Sequence, residues 1–101
     1  MFINIIKSYR YVVAVCDSEL LGKYFSESMF QLDVKESFFK GKEGKKVREN
    51  ELIDILQDMQ KEDATFNLVG QRTIDAAIKA EIITQENIGE IQGVPFALVL
   101  L

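Results

Sequence analysis

The chain has 101 residues, 48% of them apolar and 28% charged, with a net charge of −4; this is the length of one domain and enough apolar material for a single core. One cysteine and no histidine exclude an internal disulfide, multi-cysteine zinc sites, Ser-His-Asp and Cys-His catalysis and histidine-ligated metals. The acidic balance argues against strong nonspecific nucleic-acid binding, so any such contact is expected to be local.

The opening MFINIIKSYR has no basic region ahead of its apolar residues and no small-residue cleavage site, so it does not read as a signal peptide. Phe2–Ile6 alternates loosely and reads as a first strand, and Lys7–Arg10 as a polar turn. Tyr11–Val15 is an apolar, β-branched run that stops at Cys16-Asp17, giving a second strand and a hairpin with the first. Glu19–Glu27 is ambiguous. Leu20, Leu21 and Phe25 could share one helical face, but Gly22 weakens a helix by about 1 kcal/mol relative to Ala.

Gln31–Phe39 alternates Leu32 and Val34 against polar neighbours and is expected to be a third strand, with Phe38-Phe39 breaking the pattern. Lys40–Lys46 (KGKEGKK) reads as a loop. Glu49–Gln60 is the clearest helix, since Leu52, Ile53, Leu56 and Met59 make one apolar face, and Glu49 and Glu51 suit its positive end. Thr65–Val69 is a short β-rich run, and Gly70 opens a second helix through about Ala80, with Ile74, Ala77 and Ile78 on one face. Thr84-Gln85-Glu86 looks like a capped turn. Ile88–Ile91 and Phe96–Leu101 read as two last strands around Gly93-Val94-Pro95, because proline belongs at a bend or strand start. The expected fold is a single α+β domain over 1–101, with a mixed or antiparallel sheet of about five to six short strands packed by two main helices.

Val94–Leu101 is the longest apolar run, at eight residues, against the roughly 20 of a membrane-spanning helix. No membrane association is expected, and the chain reads as cytoplasmic with a reduced cysteine. The uncharged tail Phe96–Leu101 has nothing to blunt an exposed edge, so it should be central in the sheet, covered, or paired with a second chain as a homodimer.

Charge is segregated. Lys35–Arg48 holds six basic residues against Glu36 and Glu43, whereas Glu49–Asp63 holds six acids against Lys61. Such runs commonly serve only as solvated surface. The functional alternative is that Lys40, Lys42, Lys45, Lys46 and Arg48 touch phosphates while the acidic helix faces away.

Two further places could carry chemistry. At Leu68–Thr73 an apolar stretch runs into a helix start, where free amides and partial positive charge could hold a phosphate, with Gly70 allowing close approach and Arg72 adding donors. The plainer reading is that Gly70 makes a tight turn or packs closely. At the end of the second strand, Cys16 could be a nucleophile with its pKa lowered by Lys23, and Asp17 with Glu19 could hold magnesium. The plainer readings are a small buried hydrophobe at Cys16 and a turn-capping carboxylate at Asp17. No catalytic residue, resident metal or cofactor is assigned.

Taken in order, Cys16-Asp17, Glu19–Lys23 and Phe25, Leu32–Val34 with Phe38, Phe39 and Gly41, Asn67–Gly70 with Arg72, Ala77-Ile78, and Gly93–Pro95 with Ala97 resemble domain-of-unknown-function family 424 over nearly the whole chain. The resemblance implies a small archaeal cytosolic protein, with an association with translation and RNA binding. The family's last motif usually reads Gly-Val-Pro-His-Ala-Gln; here Phe96 and Leu98 stand in place of the His and Gln, which removes any acid–base or metal role for that histidine. Where the family's helix after the loop starts on a Ser cap, Arg48 stands here and cannot accept the free N–H groups.

The expectation is a binding module that touches RNA or a translation-related protein. The alternatives are a small-molecule binder or enzyme using Cys16, Asp17 and Lys23, and a structural partner protein that dimerises through its C-terminal strand.

Overall fold

Strands Phe2–Lys7 (β1) and Tyr11–Cys16 (β2) form the expected antiparallel hairpin, with Phe2 opposite Cys16 and Ile6 opposite Val12. A computed structural model describes residues 1–100, so the Leu101 end of the tail lies outside the described residues. Elements β3 (Tyr24–Glu27), β4 (Phe30–Asp33), α1 (Glu36–Phe39), β5 (Lys45–Lys46) and α2 (Glu49–Lys61) follow. They lead to β6 (Thr65–Val69), α3 (Gln71–Lys79), β7 (Gly89–Ile91) and β8 (Val94–Val99).

Six strands make one mixed sheet in the order β5-β1-β2-β6-β8-β7, and β3-β4 is a separate two-stranded sheet. The fold is α+β. Its central pair, β2 and β6, is parallel, with Cys16 beside Val69. A strand alternates its side chains between the two faces of the sheet. Ile3, Val13, Val15, Phe66, Leu68 and Ala97 therefore meet Leu52 and Leu56 of α2 and Ile74 and Ala77 of α3 on one face. On the other face Ala14, Cys16 and Val69 pack with Val34 and Phe39, and Phe25, Leu32, Phe38 and Phe96 close around them.

The two main helices lie close to where periodicity puts them. Gln31–Phe39 does not form one strand. Its first part is β4, which pairs with β3 out of the ambiguous segment, and its last part is the helical turn α1. Two backbone bonds from the turn before β3 hold the end of β4: Gly22 donates to the Val34 carbonyl at 2.7 Å and Val34 to the Lys23 carbonyl at 2.9 Å. The Phe38-Phe39 break in the alternation marks the helical turn α1, whose two rings meet edge to face. Thr84 does cap its turn, with its amide and that of Asn87 satisfied reciprocally. The tail is flanked on both sides only at Phe96, since β7 pairs with Val94–Phe96 and β6 with Phe96–Val99, so Ala97–Val99 have a ladder partner on the β6 side alone. No helix among the described residues is long and apolar enough to cross a membrane.

Candidate functional site: a basic cleft at two helix starts

β2 and β6 run parallel and end together, so the segments that follow them emerge at the same edge of the sheet. Asp17, one residue past β2, is 3% exposed, and its amide donates to the Val69 carbonyl. Its carboxylate is turned onto the first turn of α3. Oδ2 accepts the Arg72 amide at 3.1 Å, and Oδ1 accepts the Thr73 amide and hydroxyl, both at 2.9 Å. Asp17 thus caps a helix whose own N-cap residue, Gly70, has no side chain to do so.

Gly70 makes this possible in two ways. Its φ of 108° lies where L side chains are strained, and a Cβ there would come within 2.3 Å of Asp17 Cγ. Its amide donates to the Pro95 carbonyl at 2.8 Å. The Cys16-Asp17, Asn67–Gly70 and Gly93–Pro95 segments therefore meet in one knot. At this knot the two amides that could have met a phosphate already hold a carboxylate.

Cys16 is fully buried beside the knot. Burial, and then the Asp17 charge, push its thiol up to about 12, the reverse of an activated nucleophile. Lys23 is exposed in the turn before β3 and is not among the residues lining the cleft described next. Cys16 and Asp17 do not line that cleft either. Asp17 reaches across to α3 instead of capping its own turn.

A cavity of about 730 Å³ opens beside the knot. Arg72, from the first turn of α3, lines it together with Ser18. Lys46 of β5 and Arg48, the residue before α2, line it as well. The starts of both main helices thus border one cleft, and the two surfaces singled out from sequence, the basic loop and the Gly70/Arg72 helix start, contribute to the same cavity. Arg48 makes no side-chain cap to α2, as expected of a residue that cannot accept an N–H.

Glu49 and Glu51 also line the cleft, a feature the charge pattern did not single out. Both are engaged by lysines: Glu49 accepts Lys79 Nζ at 2.8 Å and Glu51 accepts Lys45 Nζ at 3.1 Å. The Glu49 hydrogen bond raises the pKa of the Lys79 ammonium, holding it charged. Lys40 and Lys46 place their ammonium groups 5.6 and 5.5 Å from the Phe2 ring centroid. Lys42 lies apart, on a shallow groove with Glu36 and Gly41. Of the basic residues of the loop, Lys46 and Arg48 line the cleft, while Lys45 pairs with Glu51.

A second, smaller groove of about 230 Å³ lies on the other sheet face, where Phe96 and Leu98 meet Leu32, Phe38 and Phe39. The Phe96 ring covers Gly89, which has no room for a Cβ. The ring that replaces the expected histidine is therefore a packing group.

A sequence model of the family described as "Protein of unknown function (DUF424)" matches residues 6–101. The chain belongs to this family. Among solved structures, this DUF424 chain is similar to the "Crystal structure of an uncharacterized conserved protein from Methanopyrus kandleri", at 24% identity and a TM-score of 0.80. The match covers 97% of this chain and 88% of the other. At that identity the likeness speaks for the DUF424 fold alone. No curated protein matches the chain.

Proposed function

We propose that this chain is a binding module for RNA, gripping the backbone in the cleft between the starts of α2 and α3. The observation that carries the reading is the convergence of Lys46, Arg48 and Arg72 on one cavity. The nearest carboxylates, Glu49 and Glu51, are partly neutralised by Lys79 and Lys45. Two guanidinium forks and an ammonium suit phosphate oxygens. The Phe2 ring, held by two lysines, adds an apolar plane near the basic loop. On this reading the protein works in the cytoplasm of an archaeal cell, in association with translation. The enzyme alternative draws no support from a buried, protonated Cys16 and an Asp17 committed to a helix cap.

Fluorescence anisotropy of a single-stranded RNA against salt tests the reading. Three cations on single-stranded phosphates give a slope of log affinity against log salt of about −2. That slope should be lost when Lys46, Arg48 and Arg72 are all changed to Glu. Absence of binding at low salt would remove the RNA reading.

A further inference from the structure

We infer that the RNA strand is followed out of the cleft along the β5–β1 edge of the sheet to the β1–β2 turn, where a base stacks on Tyr9; this rests on the RNA reading above. The sheet order puts β5 and β1 at one edge and β8 and β7 at the other. The two edges differ in sign. Residues 1–16, which build β1 and β2, hold Lys7 and Arg10 and no acidic side chain. β5 adds Lys46 and Lys45, the latter paired with Glu51. Residues 80–100, which build β7 and β8, hold Glu81, Glu86 and Glu90 and no basic side chain. A polyanion is drawn to the first edge and kept from the second. β1 starts at the cleft, which Met1 lines, and runs away from it. On its outer side β5 pairs with Phe2 and Ile3, and among the described residues no strand pairs with the rest. The Val47 amide donates to the Met1 carbonyl, so Met1 faces outward toward β5. Alternate residues of a strand bond to the same side, which turns the amides of Ile5 and Lys7 outward as well. Backbone amides of this kind hold phosphate oxygens.

The second argument is Tyr9 itself. It sits in the turn at the far end of β1 and is fully exposed, so its ring adds nothing to the core. Lys7 alone keeps a further strand off this edge, so edge protection does not call for the ring. Lys7, Arg10 and Tyr11 border a hollow of about 310 Å³ with Tyr9, and Glu62 and Asp63 line it too. Those two carboxylates disfavour a phosphate there, whereas an uncharged base does not meet that repulsion. The turn therefore offers a flat ring to a base, at the end of a basic edge that tracks the backbone, the combination that serves single-strand binding. At about 3.3 Å per residue, β1 from Phe2 to Lys7 spans about 17 Å. Only a strand of about four nucleotides or more bridges the cleft and Tyr9, the lower end of single-strand site sizes.

The test uses the full chain and unstructured single-stranded RNAs of about three and about ten nucleotides, read by anisotropy over a salt series. Tyr9→Ala should weaken the long strand about 10-fold, the loss of one base–ring stack, and leave the short strand unchanged. Its slope against salt should match the parent's, because no charge is removed. Tyr9→Phe keeps the ring and should bind like the parent. Tyr24→Ala, at an exposed ring on the separate two-stranded sheet, is the control and should change nothing. Parental affinity of Tyr9→Ala for the long strand overturns the inference and leaves the RNA reading standing. So does an equal loss for both lengths, or an equal loss in Tyr24→Ala, since neither follows from a path that ends at Tyr9. Failure of the parent to bind either strand overturns both.

Discussion

The carboxylate of Asp17 accepts both the amide and the hydroxyl of Thr73 at 2.9 Å, across 56 positions of sequence. One buried side chain thereby closes the end of β2 onto the start of α3. It supplies the negative charge that a helix start favours, at the place where a ligand anion could have sat.

Replacing Asp17 by Ala leaves two amides and a buried hydroxyl without their acceptor. The expected loss is about 3 kcal/mol of unfolding free energy, with Asp17→Asn intermediate. Urea unfolding followed by circular dichroism measures it. A loss below about 0.5 kcal/mol would mean that the cap does not hold the knot.

Gly70→Ala should also be costly, by about 2 kcal/mol or more, because it combines a strained φ with a Cβ driven into Asp17. The two positions are in contact and should not add. In the double variant Asp17→Ala/Gly70→Ala the steric part disappears, so the total should fall short of the sum of the single losses. Strict additivity in the same urea series would show that Gly70 matters for its backbone alone.

Cys16 should be silent toward a disulfide reagent in the native protein and react fully once denaturant is added. Its thiol is raised from 9.0 to about 12 in the fold. Above about pH 9 the unfolded chain releases this proton while the folded chain keeps it. The contribution is intact below pH 9 and is lost as pH climbs toward 12, at up to about 1.4 kcal/mol per unit. Cys16→Ala should show a shallower alkaline decline than the parent, and matching declines would refute the assignment.

Glu51→Gln should strengthen RNA binding about two- to threefold. It removes a carboxylate from the cleft wall and frees Lys45, while the lost exposed ion pair costs little stability. Anisotropy at fixed salt reads the gain, and thermal unfolding should shift by no more than about 2 °C. Weaker binding would place Glu51 among the groups that help the ligand.

Much of the architecture is legible in local pattern. The apolar period of α2, the β-branched run of β2 and the Thr84 turn are each set by neighbours a few positions away, and each is found where that period puts it. The region 19–39 is not, because its order comes from the Gly22–Val34 and Lys23–Val34 backbone bonds. The parallel pairing of β2 with β6 leaves no trace in either strand, since both are buried on both faces. The site divides along the same line. Basic residues 40–48 announce a charged surface, but only the fold selects Lys46 and Arg48, turns Lys45 onto Glu51 and brings in Arg72. Asp17 shows the reverse: its type and position suggest a cap, while its true partner lies beyond any local reading.

The sheet is covered unequally. Two full helices shield one face, whereas a short hairpin and a single helical turn shield the other. Opening the hairpin side exposes a small cluster, while separating the helices uncovers the main core. The molecule should therefore breathe from one side. Amides of β3 and β4 would exchange with solvent through cheap local fluctuations, and those of β2 and β6 only when the whole chain unfolds.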